Sequence, residues 1–143
     1  MAIVLSNAVM TADNGSTGMP ILLFPYYTNL ADTITYNNFL SSSNFNMDDN
    51  GRLQYTGSVE LSCFVSARFS LLREEGVTLR AAIYKNGIQI TSSIITDPAS
   101  PTILNYPVSL VDQDYLELWA NIESGSNVSL VQAQMSIIGP ELS

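Results

Sequence analysis

The 143-residue chain contains no histidine, a single cysteine and only five cationic side chains. Each shortage excludes something. Without histidine, neither a Ser/His/Asp nor a Cys/His catalytic arrangement can be assembled, and the commonest general base and metal ligand is missing. With Cys63 alone, no internal disulfide can form. Cys63 falls within an alternating apolar run, where a lone cysteine is expected to be a small buried hydrophobe. The five cations (Arg52, Arg68, Arg73, Arg80 and Lys85) stand against thirteen acids, giving a net charge of −8. A basic groove for nucleic acid is therefore not expected. No apolar run approaches the ~20 residues that span a bilayer, and no segment of helical length carries a 3.6-residue apolar period. The start, "MAIVLSNAVMTADNG", lacks the basic region and long apolar core of a signal peptide, so the sequons at Asn14 and Asn127 are expected to be accidental.

Hydrophobic residues are abundant: 46% of the chain, against 13% charged. An ordinary domain has ~25% charged residues. The length predicts one domain, and the scarcity of charge predicts much surface buried in a core or against neighbours. The charges are also segregated. Residues 1–51 carry a net −4, 52–85 a net +2 and 86–143 a net −6. Two readings are open: solvated strand faces, or a central block docked on an acidic surface of its own or of a partner.

The dominant period is two. From 53 to 71 the odd positions read Leu, Tyr, Gly, Val, Leu, Cys, Val, Ala, Phe, Leu; the even positions are polar apart from Phe64. A one-residue slip would invert every side chain, so this is a half-buried strand or strand pair, with Gly57 at a turn or bulge. Residues 77–83 continue the alternation into "KNG", where Asn86-Gly87 predicts a type I′ hairpin turn. Lys85 is expected to flank that turn as an exposed, solubilising charge. Further strands are predicted at "DTITY" (32–36), "ILNYPVSL", "DYLELWANI" and "VSLVQAQMSII", with turns between them. Many short strands with frequent turns predict an all-β sandwich or barrel. The first 20 residues, small, polar and glycine-containing, read as an N-terminal arm (1–20) preceding the domain (21–143).

Candidate chemistry is sparse. Asp48-Asp49, Glu74-Glu75 and Asp112/Asp114 are paired carboxylates, but all fall in predicted turns, where Asp is favoured for local hydrogen bonding. "NMDDNG" (46–51) matches the first half of an EF-hand loop, yet Gly57 stands where the bidentate Glu belongs. No catalytic residue, metal ligand or cofactor is assigned, and an enzyme is not expected. In "DYLELWANI", Tyr115 and Trp119 share the nominally outward face and need cover; Phe64 is a similar misfit. Subunit packing and cover by the N-terminal arm both remain open.

Taken together, "ITYNNF…NFNMDDNGRLQYTGSVELSCFVSARFSL", "AAIYKNGIQI", "VSLVDQDYLELWANIESGS" and "SLVQAQMSIIG" resemble, in order, the successive motifs of the C1q/tumour-necrosis-factor jelly-roll family. The chain departs from that family at Gln113, where Gly is usual, at Ile137-Ile138, where an aromatic is common, and in lacking a collagen stalk. The resemblance implies an antiparallel two-sheet jelly-roll sandwich assembled as a homotrimer, with Phe64, Tyr115 and Trp119 as candidate interface residues. Free-standing acidic jelly rolls of this kind resemble accessory virion proteins of tailed bacteriophages. That resemblance implies a decoration or cement protein on the outer capsid surface, contacting the major capsid protein or another virion protein. Its contact elements would be the arm, through Met1, Ile3, Val4, Leu5, Val9 and Met10, and one end of the sandwich. The alternative is a receptor- or glycan-binding knob of a fibre or spike. Neither nucleic acid nor membrane is expected as a partner.

Overall fold

A computed structural model describes residues 3–13, 19–32, 36, 38–41, 44–48, 51–72, 78–97, 101–122 and 126–142. The described strands are β1 (Ile3–Asp13), β2 (Met19–Leu23), β3 (Thr28–Asn29), β4 (Asn38–Ser41), β5 (Phe45–Met47), β6 (Leu53–Tyr55), β7 (Leu61–Leu72), β8 (Leu79–Lys85), β9 (Ile88–Gln89), β10 (Ile95–Asp97), β11 (Thr102–Leu110), β12 (Tyr115–Ile122) and β13 (Ser126–Leu142). They form two antiparallel sheets. Sheet one runs β11-β7-β13-β1-β4, with β2 also paired to β13; sheet two runs β10-β8-β12-β6-β5, with β3 on β12 and β9 on β8. From β6 onwards the chain crosses repeatedly between the sheets, and the first and last strands lie side by side. This is the jelly-roll winding of an all-β sandwich.

The 53–71 alternation survives a change of sheet. Leu53 and Tyr55 face the core from sheet two, and Leu61, Cys63, Val65, Ala67 and Phe69 face the same core from sheet one. Both inner faces enclose one core, so the parity carries across the connection. Among the described side chains, Val59, in that connection, is the odd-numbered residue left exposed. Cys63 is buried as expected. Its thiol donates to the Val108 carbonyl (3.2 Å), and burial pushes its pKa up to about 11.

Three expectations are corrected. The described part of the first 20 residues is not an arm. Residues 3–13 form a strand paired to β13 along its whole length and to β4 on its other side. Ala8, Met10 and Ala12 alternate inward and are buried, while Val9 and Thr11 face outward half-buried. Small residues that read as arm-like are what fits beneath a filled core. Met1 lies outside the described residues. Second, at the ends of the 32–36 segment neither Asp32 nor Tyr36 is a strand residue. Leu30–Asp32 is a 3-10 turn, and residues 33–35 lie outside the described residues.

Third, Lys85 is not a free charge. The hairpin turn has the expected left-handed pair, Asn86 at φ 54° and Gly87 at φ 81°. Its tip is bolted to the β11–β12 turn. Lys85 Nζ donates to the Ser109 carbonyl (2.7 Å) and lies 3.6 Å from Asp114; the Asn86 amide donates to Asp114 (2.8 Å) and accepts from Tyr115 N–H (3.0 Å). Gln113, in the same turn, takes φ 75°, the left-handed conformation for which glycine is the usual residue.

This clamp has a pH signature. Burial pushes the Asp114 carboxyl up, but the Val111 N–H, the Asn86 amide and the Lys85 ammonium outweigh burial and hold it below its ordinary value. A carboxyl depressed in the folded state stabilises the fold above its unfolded pKa, ~4, and that contribution is lost as pH falls through the depressed value. Asp114→Asn is therefore expected to lower stability by about 1 kcal/mol at pH 7 and to flatten the loss below pH ~4. Urea melts at stepped pH check this, and identical pH profiles for the two proteins would refute it.

Candidate interaction surface

The two outer faces of the sandwich differ in how completely they satisfy themselves. On sheet two, β12 presents Tyr115, Glu117, Trp119 and Asn121 outward, because Leu116, Leu118, Ala120 and Ile122 point into the core. Trp119 stacks on Tyr84 of the neighbouring strand, with centroids 4.0 Å apart and planes 7° from parallel. Tyr115 lies under the Arg52 guanidinium, 4.3 Å from its ring centroid. Glu117 is buried between them. It accepts from the Asn29 amide (2.8 Å), the Arg52 guanidinium (3.4 Å) and the Trp119 indole N–H (3.4 Å). Burial raises its carboxyl above the ordinary range, against the pull of Trp119 and Arg52. The outward aromatics of sheet two are thus engaged in this protein's own packing.

Sheet one is different. Its pairing register sets Phe64 opposite Pro107 on one side and Ile138 on the other, giving an apolar row across three strands. Phe64 is 49% exposed and Ile138 47%, and Pro107 is exposed as well. Two residues further along β13, Ser136 pairs with Val9, which pairs with Leu40, itself 74% exposed. The surroundings are hydroxyl and amide side chains: Ser62, Ser66, Gln132, Gln134 and Ser136. Among the described side chains on this face, the charges are Arg68 and, at one end, Asp13. Among the described side chains this face carries few charges, so a second copy of a chain of net charge −8 would meet little repulsion there.

The structure therefore separates the three candidate interface residues. Phe64 lies on the outer face of sheet one, while Tyr115 and Trp119 lie on the opposite side of the molecule, so the three do not form one surface. Of the candidate arm residues, Val9 is half-buried on the sheet-one face, Met10 is in the core, and Ile3, Val4 and Leu5 are strand residues paired to β13. Ile138, Pro107 and Leu40 join Phe64 on the surface, although no sequence expectation placed them there. Ile138 is within reach of the sequence. In a strand, Ile137 and Ile138 must point to opposite faces, and the parity of Gln132, Gln134 and Ser136 sends Ile138 outward. Among the described residues, no group of three or more His, Cys, Asp or Glu is placed to hold a metal ion.

No protein-family model matches the chain, and no curated protein matches it. Among solved structures it is similar to that of Eiger TNF from S. frugiperda, with 8% sequence identity and a TM-score of 0.48, over 100% of this chain and 94% of that one.

Proposed function

We propose that this chain is a non-catalytic structural protein that assembles as a homotrimer and seats on the outer capsid surface of a virus particle as a decoration protein. The observation that carries the assembly is the row of Phe64, Pro107 and Ile138 on a face almost without charge. A closed ring forms when this face on one copy meets a different surface on the next. The virion setting rests on the resemblance read from the sequence. Residues 3–13 are built into the sheet, so the proposal puts the capsid contact at one end of the sandwich, the other contact element expected from the sequence. Three such contacts made together would gain avidity over one.

A second reading, a receptor- or glycan-binding knob, is favoured by one feature. Tyr26 is largely exposed and stacked on Phe24 at 5.1 Å, leaving an aromatic face open to a sugar.

The double variant Phe64→Ser/Ile138→Ser tests the assembly. Sedimentation equilibrium is expected to show a trimer for the parent protein and a monomer for the variant, with the thermal midpoint of the dissociated chain unchanged. A monomeric parent, or a variant that remains trimeric, would remove the assembly. The copy number in purified particles tests the setting: hundreds of copies support decoration, a few tens or fewer support the knob, and none refutes both.

A further inference from the structure

Sheet one carries a second feature, two residues beyond the Phe64–Ile138 row. Ile103 pairs with Ala67, but the next pair is Tyr106 with Val65, so two residues of β11 stand against one of β7. This is a β-bulge, and Asn105 within it takes the left-handed φ of 50°. At the bulge there is a cavity of about 310 Å³, lined by Ser66, Arg68, Thr102, Leu104, Gln134 and Ser136 among others. That volume is at the lower end of the range that admits small ligands, about 300–1,000 Å³.

The lining has a definite chemistry. It contains one guanidinium and no carboxylate. Arg52 and Lys85 are paired with carboxylates, whereas among the described residues the partner of Arg68 is the neutral Gln132 amide, reached through Nη2 at 3.1 Å. A guanidinium has five N–H donors, so Arg68 retains donors in the planar fork that suits a carboxylate. Ser66 Oγ accepts from Asn105 N–H (3.1 Å), which leaves its own O–H to donate. Ser136 adds a hydroxyl, Gln134 an amide that both donates and accepts, and Leu104 an apolar wall.

We infer that the bulge cavity is a binding site for a small carboxylate-bearing sugar, its carboxylate on Arg68, its hydroxyls on Ser66, Gln134 and Ser136, and its C–H face against Leu104. A monoanion fits better than a phosphate dianion, because a single cation faces the ligand within a protein of net charge −8. The cavity lies on the same outer face of sheet one as the proposed self-association row, and ligand binding is read by a different observable from oligomeric state.

The test is titration of the full chain with sodium glucuronate, glucose and methyl phosphate, followed by amide NMR shifts, to about 50 mM so as to capture a millimolar Kd. Glucuronate is expected to give saturable shifts centred on Ser66, Arg68 and Gln134, with glucose and methyl phosphate weaker by about tenfold or more. Arg68→Gln is expected to weaken glucuronate binding by a similar factor, and Gln134→Leu to weaken it less, both with unchanged spectra elsewhere. No saturable shift with glucuronate, equal binding of glucose, tighter binding of methyl phosphate, or an unaffected Arg68→Gln variant would each overturn the assignment.

Discussion

Removal of residues 1–18 is expected to abolish the cooperative unfolding transition altogether. The deleted segment includes β1, which lies between β13 and β4 in sheet one and makes eleven register pairs with β13. Its loss would uncover the backbone edge of β13, withdraw Ala8, Met10 and Ala12 from the core and detach β4. A buried strand pairs its N–H and C=O groups almost completely, and leaving them unpaired costs about 1–3 kcal/mol each. Several such losses exceed the whole stability of an ordinary domain, about 5–15 kcal/mol. Urea denaturation followed by far-ultraviolet circular dichroism reads this directly. A truncated chain with a sharp transition near the parent midpoint would restore the free-arm interpretation.

The second large effect is expected at Gly57. The Tyr55 ring lies on this glycine, so that a Cβ there would overlap the ring and its hydroxyl. Tyr55 is fully buried, packs against Phe45 at 5.4 Å between centroids, and donates its hydroxyl to the Val59 carbonyl (2.6 Å). The ring cannot swing aside without breaking that bond and opening a core cavity. Gly57→Ala is therefore expected to cost about 3 kcal/mol, the upper part of the overpacking range. Tyr55→Ala, which removes the ring, is expected to cost about 3–5 kcal/mol. The two effects should not add, because the methyl introduced at position 57 would occupy part of the space the ring leaves. Guanidinium melts of both single variants and the double variant check this. Additive losses, or a neutral Gly57→Ala, would show that Tyr55 does not depend on the bare backbone at 57.

What the sequence made legible follows from local physics. The alternation of 53–71, the Asn-Gly turn and the burial of Cys63 are each set by a few neighbouring residues, and each is present. The place of 3–13 is not. Ala8, Met10 and Ala12 do alternate, but the outward positions Val9 and Thr11 blur the contrast. What makes the segment a strand is pairing with β13, more than a hundred residues away. The candidate surface was half legible. Phe64 breaks its polar parity visibly, whereas its company with Pro107 and Ile138 depends on the order of strands β11, β7 and β13. Trp119 was half legible for a related reason. Its outward parity was correct, but parity cannot reveal that it stacks on Tyr84 of the adjacent strand.

The adjacency of β1 and β13 also governs the order in which the fold can form. The loop between their paired residues takes in nearly the whole chain, and the entropy lost on closing a loop grows with its length, as about (3/2)RT ln n. β1 can meet β4 early, but it cannot take its final neighbour until β13 has been synthesised, so the emerging polypeptide holds a partly apolar strand with one edge unpaired until then. Such a topology places the protein among slow folders of high contact order. It also makes the nascent N-terminal segment the part most exposed to mispairing with another chain before the sheet is sealed.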